Sequence, residues 1–128
     1  MKVAVIGSRS LVVTNLHTFL PENCSEIVSG GAAGIDRCAK EYAITNHLKL
    51  TEFLPEYERY QKRAPLMRNR RIIDYADSVL AFWDGTSKGT YFVIETCRQL
   101  GKPCTVILCK SEQSQQNFTD SIDTSVKI

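Results

Sequence analysis

Apolar residues fall along the chain in two alternating kinds of run. Residues 2–7 (KVAVIG), 78–82 (SVLAF) and 104–109 (CTVILC) are short, almost continuously apolar and rich in β-branched side chains. That pattern belongs to strands covered on both faces of a parallel sheet. Residues 25–29 form another short strand, and 48–54 alternates apolar with polar residues as an edge strand does. Between these runs the apolar positions adopt helical spacing. Ile35, Cys38, Ala39, Tyr42 and Ala43 define a stripe within 34–48, and Leu66, Ile73 and Ala76 define one within 65–76. A last helix over 90–100 is closed by Gly101 and Pro103, Pro65 suits a first helical turn, and 11–20 is expected to form a short helix ended by Pro21.

Strands separated by helices of this length make βαβ units. The fold class expected is therefore α/β: a single Rossmann-like three-layer domain with a parallel five-stranded sheet in the order 3-2-1-4-5. It occupies residues 1–110. Residues 111–128 are polar and Ser/Gln-rich, and read as a mobile tail or a partner-docking segment. The chain of 128 residues is of single-domain size. Sixteen basic against fourteen acidic residues give +2, a balance that argues against nucleic acid or a membrane surface as the partner. No apolar run approaches the roughly 18 residues of a membrane span, and the apolar stretch after Met1 is too short for a secretory signal. The cysteines, Cys24, Cys38, Cys97, Cys104 and Cys109, show no CxxC pair, and only two histidines accompany them. Small buried thiols in a reducing cytoplasm are expected, with neither a metal site nor a cofactor.

Chemistry concentrates where strands end. The loop Gly7-Ser8-Arg9-Ser10 combines a tight-turning glycine, a hydroxyl and a guanidinium that can clamp a phosphate. Ser29-Gly30-Gly31-Ala32-Ala33-Gly34-Ile35-Asp36 leads a strand into a helix N-terminus, where backbone N–H groups attract anions. It is not the GxGxxG dinucleotide fingerprint. Asp36 suits the helix start and could equally accept a ribose hydroxyl. On the helix before the fourth strand, the stripe turns Asn69 inward and sets Arg70 at its edge, with Arg68 and Arg71 further outward. Asp84-Gly85-Thr86-Ser87-Lys88-Gly89-Thr90 opens another helix, with Thr90 as the expected cap and the N–H groups near Gly89 as phosphate donors. Each loop taken singly is also an ordinary turn; the pairing of the Gly7 and Gly89 loops across the switch point favours a ligand. Trp83, Tyr57 and Tyr60 are divided between base stacking and packing.

In their order and spacing, GSR, SGGAAGID, RN on the third helix and ADSVLAFWDGTSKGT resemble the YpsA-related branch of the SLOG superfamily. That superfamily is named for the DNA-processing proteins and the lonely-guy cytokinin-activating enzymes. The resemblance covers about residues 2–109. Gln61 departs from it, because the branch more often has glycine after the tyrosine equivalent to Tyr60. The resemblance implies a Rossmann-like domain that binds a nucleotide or nucleotide-derived small molecule, as a sensor or ligand-processing component, and that forms homodimers or homotetramers. The ligand contacts it implies are Gly7, Ser8, Arg9, Gly30, Gly31 and Gly34, then Asp36, Arg68, Asn69 and Arg70, and beyond them Asp84, Ser87, Gly89 and Thr90.

Two further readings compete. One is N-glycosidic hydrolysis of a nucleoside monophosphate, with Arg70, Asp36 and Asp84 as candidate catalytic groups. The other is single-strand nucleic-acid binding, which needs a basic groove. In the lonely-guy motif PGGxGTxxE a glutamate lies three residues after the threonine. Here Thr90 is followed at that place by Val93, and Glu95 lies about 140° around the helix from Thr90. Arg70 matches the arginine of that family's RK motif. Efficient phosphoribohydrolase activity is therefore not expected.

Overall fold

Side chains alternate across the sheet, and that alternation sorts the core into two halves. In the computed structural model, which describes residues 1–109 and the pair 121–122, β1 (Lys2–Gly7) is the central strand. Its Val3 and Val5 point to one face and Ala4 and Ile6 to the other, as a period of two requires. The first face is covered by α1 (Ile35–Thr45) through Ile35, Ala39 and Ala43, joined by Leu11, Val13 and Leu16. The second is covered by α3 (Ala64–Tyr75) through Ile72 and Ile73, and by α4 (Lys88–Leu100) through Val93, Ile94 and Cys97. Each fully buried Val or Ile on these faces contributes about 1.5–3 kcal/mol.

Five parallel strands run in the order β3-β2-β1-β4-β5, with β2 at Glu26–Ser29, β3 at Lys49–Glu52, β4 at Ser78–Trp83 and β5 at Cys104–Leu108. This is the α/β class and strand order expected. A two-residue β6 (Ser121–Ile122) pairs antiparallel with β5. The rest of the 111–128 segment lies outside the described residues. The polar-apolar alternation of β3 matches its place at the sheet edge, where its residues are half-buried or exposed. After β1 the chain crosses toward the α1 face, and after β4 it crosses toward the α4 face. The two strands therefore part company at their carboxyl ends, and a crevice opens there.

Several boundaries differ from expectation for local reasons. Residues 11–20 form no α-helix, only a 3-10 turn at Leu16–Thr18. Val12, Val13 and Thr14 are a β-branched run that resists helical χ1 restriction, and the segment instead buries Leu11, Val13 and Leu16 as an irregular cover. Helix α4 begins one turn early: Ser87 is its cap and Thr90 sits inside the first turn. It ends at Gly101, left-handed at φ 71°, as helices often do. A one-turn α2 (Tyr57–Tyr60) and a 3-10 turn at Gln61–Arg63 precede α3. Among the described residues no helix is long and apolar enough to cross a membrane.

At the opposite end of the sheet from the crevice, buried Glu26 ties three elements together. It accepts the Tyr75 hydroxyl of α3 at 2.6 Å and the Thr51 hydroxyl of β3 at 2.7 Å, with Lys49 Nζ 3.8 Å away. Burial alone would raise its pKa, but the two hydroxyls and the charges of Lys49 and Lys2 outweigh it and hold the carboxyl below its ordinary value. A depressed folded-state pKa contributes stability that is present above the unfolded value and lost as pH falls through the folded one. Glu26→Gln should therefore melt below wild type at pH 7. The gap should close as both proteins are taken below the ordinary glutamate range, as read by thermal unfolding across pH.

Candidate functional site

Glycine lets three elements meet at the carboxyl end of β1. A Cβ on Gly7 would lie 2.8 Å from the Phe82 carbonyl oxygen and would run into the Ile35 side chain. Its absence lets β1 and β4 stay together to their ends, where the Ser8 N–H donates to the Phe82 carbonyl at 3.2 Å. Gly34 caps α1 at φ 68° and ψ −122°, and any Cβ there would strike the Arg9 carbonyl. The Gly7 loop is thus seated directly on the start of α1.

A cleft of about 380 Å³ opens at this point, between the Gly7 loop, the Gly30 loop, α3 and the start of α4. Most of the residues expected at a ligand converge on it: Gly7, Ser8, Arg9, Gly30 and Asp36 from one side, and Asp84, Ser87, Gly89 and Thr90 from the other, with Arg68 and Asn69 from α3. Gly31, Gly34 and Arg70 do not line it. Gly31, at φ 74°, faces a neighbouring depression, and Gly34 serves the backbone turn just described. Pro65, Ile6 and Ile72 add apolar surface that the motifs did not name. Ile6 could have been inferred as the residue before the glycine that ends β1. Ser10, the last residue of the Gly7 loop, also lines the cleft.

Asp84 builds the entrance to α4. Its Oδ1 accepts the N–H groups of Thr86 at 2.9 Å and Ser87 at 2.8 Å, and the Thr86 hydroxyl at 3.2 Å. Burial acts to raise its pKa, but these bonds prevail, with help from the nearby Ser8 hydroxyl, and the carboxyl stays below its ordinary value. Ser87 makes no side-chain capping bond to α4, and nothing lies within 4 Å of where a Gly89 Cβ would be. The first turn of α4 therefore has no side-chain cap for its free N–H groups, and Ser87, Gly89 and Thr90 line the cleft. Ser8 is 4% exposed, and its buried Oγ makes no hydrogen bond of standard geometry, although it lies close enough to Asp84 to help hold that carboxyl low. Trp83 donates its indole N–H to the Ser87 carbonyl at 3.0 Å and packs beside Tyr91, so it props the loop.

Two of the three α3 arginines, Arg68 and Arg70, lie opposite to the sequence reading, while Arg71 is exposed as expected. The buried residues of α3 are Ala64, Arg68, Asn69, Ile72 and Ile73. Leu66, used to set the phase, is only half-buried, and Ala64 anchors the stripe instead, which rotates Arg68 inward and Arg70 outward. Arg68 Nη1 donates to the carbonyls of Gly30 at 2.6 Å and Phe53 at 3.3 Å, and its Nε donates to Asn69 Oδ1 at 2.8 Å. This one guanidinium joins α3 to the loop after β2 and to the end of β3. A Cβ on Gly30 would sit 2.5 Å from that Nη1, so glycine there admits the arginine. Arg70 is exposed and pairs with Asp74 at 3.3 Å, and Arg71 pairs with Glu56 at 2.9 Å.

Asp36 faces Arg68 and Arg9 across the cleft. It is 8% exposed, and its Oδ2 accepts the Ala32 N–H at 3.0 Å. Burial pushes its carboxyl above the ordinary aspartate range, opposed by the Ala32 bond and by Arg68 and Arg9, and reinforced by Glu52. Burial likewise lowers the Arg68 pKa, with Asp36 opposing. An acid raised by burial and set in a cleft is a candidate for contact with a ligand. Val93, three residues after Thr90, is fully buried in the core, while Glu95 is held by Arg98 at 2.7 Å on the surface of α4.

The topology defines a Rossmann-like α/β domain with its cleft at the switch point. Comparison of the chain with protein-family models, with curated proteins and with solved structures finds no match in any of the three.

Two outcomes follow for stability. Arg68→Ala should cost about 3 kcal/mol in urea unfolding, because charge-assisted bonds vanish and two carbonyls lose their donor, whereas Arg70→Ala should stay within about 0.5 kcal/mol of wild type. Asp36→Asn should melt at or above the wild-type temperature at pH 7. A raised folded-state pKa means the ionised carboxyl opposes folding, so the difference should shrink as pH falls and Asp36 takes up its proton.

Proposed function

We propose that the chain binds a nucleotide or nucleotide-derived phosphate ester in the switch-point cleft, as a sensor or ligand-processing domain of the SLOG type. The observation that carries the reading is the first turn of α4, uncapped by any side chain, which lines the cleft together with the buried Ser8 hydroxyl. Backbone N–H groups at a helix start and a hydroxyl donor suit a phosphoryl group. Arg9 supplies an exposed cation at the rim, while Arg68 is largely occupied in holding the walls. Gln61 adds support for the kinship: it holds φ 50° and ψ −124°, a backbone state natural to glycine, at the position where the YpsA-related branch more often has one.

Hydrolysis of the N-glycosidic bond is the second reading, favoured by the raised carboxyl of Asp36 in the cleft. It is the weaker one, because the helix position of the lonely-guy glutamate is taken by a core valine. Titration calorimetry with the four ribonucleoside 5′-monophosphates and their nucleosides tests the proposal. At least one monophosphate should bind about tenfold or more tighter than its nucleoside, and Ser8→Ala should reduce that advantage. Equal affinity for nucleotide and nucleoside would overturn it. Multiple-turnover release of free base, abolished by Asp36→Asn, would promote the hydrolase.

A further inference from the structure

Beside the cleft lies a second depression of about 400 Å³, reached across Ala32 and Asp36, which line both. Gly31 forms part of its floor, where the missing side chain makes room for Leu54, and Glu52 reaches the same place: its Oε2 is 3.6 Å from where a Gly31 Cβ would stand. Arg37 and Lys40 of α1 form the remaining charged wall. Two cations and two carboxylates thus face a space that carries no net charge.

The acceptors here are under-used. Asp36 is more than nine-tenths buried, yet only its Oδ2 has a donor, and its other oxygen remains open. Glu52, at the carboxyl end of β3, makes no side-chain hydrogen bond or ion pair among the described residues, although its charge reaches Asp36. A second phosphate is a poor occupant, because Asp36 and Glu52 offset the charges of Arg37 and Lys40 and leave no net attraction for an anion. A metal ion is equally poor, because among the described residues no group of three His, Cys, Asp or Glu side chains could hold one. What two adjacent carboxylates lack is a pair of neutral hydrogen-bond donors. Vicinal hydroxyls supply two neutral O–H donors, one for each acceptor, without adding charge.

We infer that Glu52 and Asp36 form a diol-binding pair, and that the ligand's sugar is a ribose whose 2′- and 3′-hydroxyls lie in this second depression. The inference rests on the phosphate reading of the neighbouring cleft and adds a residue, Glu52, that none of the loop motifs marked. It makes the site selective for ribonucleotides over deoxyribonucleotides. Because the depression is open to solvent, the discrimination is about tenfold, short of what an enclosed hydroxyl pocket achieves.

Titration calorimetry on the full chain separates the two readings. Ribonucleoside 5′-monophosphates should bind about tenfold tighter than their 2′-deoxy counterparts. Glu52→Ala, an exposed substitution that spares the core, should lower ribonucleotide affinity more than deoxynucleotide affinity and so narrow the gap between the two sugars. Equal binding of the two sugars by the wild type would overturn the diol pair while leaving the phosphate site standing. A ribose preference that survives Glu52→Ala would remove Glu52 from the role. Failure of every nucleotide to bind would bring down the phosphate reading and this one together. A 5′-phosphorylated oligonucleotide binding tighter than the ribonucleoside monophosphates would replace a free nucleotide by a strand.

Discussion

The close approach at Gly7 is the constraint on which the rest depends. No side-chain atom fits between the Phe82 carbonyl and Ile35, so β1, β4 and the first residue of α1 share one crowded point. Everything nearby is built outward from it. The Ser8 N–H completes the strand pairing, Gly34 turns the chain beneath Arg9, and the loops of the two diverging crossovers are left facing each other across the cleft. Any side chain at residue 7 would separate the strands at the place where the crossovers diverge, and the cleft would lose its fixed width.

The walls are held by charge rather than by apolar packing. Arg68 reaches across from α3 to two backbone carbonyls, and Asp84 gathers three donors into the turn before α4. Both groups spend hydrogen bonds on architecture, and both line the cleft. Asp36, Ser8 and the first turn of α4 are the groups left with capacity in hand. That division separates residues that shape the cavity from residues able to greet a visitor, a distinction motif spacing alone does not make.

Strand order and the cleft's position were legible in the sequence because both follow from patterns that survive folding. Continuous apolar runs marked β1, β4 and β5, and glycines after strands marked the loops. What was missed turned on local competition. The stretch through Val12, Val13 and Thr14 was read as helix from its apolar content, but β-branching and the need to bury alternate residues prevailed. The α3 phase failed because a buried arginine is not part of a hydrophobic count: Leu66 set the register, whereas Ala64 and Arg68 occupy the inner face. Glu52 escaped notice because an edge-strand carboxylate looks like ordinary surface until the chain folds it beside Asp36.

The indole of Trp83 is bonded to the Ser87 carbonyl at the very start of α4, and it is the chain's single tryptophan. Its emission therefore arises from one known location, with no second fluorophore of its kind to dilute it. Any event that reorganises the α4 entrance alters the polarity and rigidity around that ring. The protein carries its own optical probe, and occupancy of the cleft can be followed in a cuvette without a label.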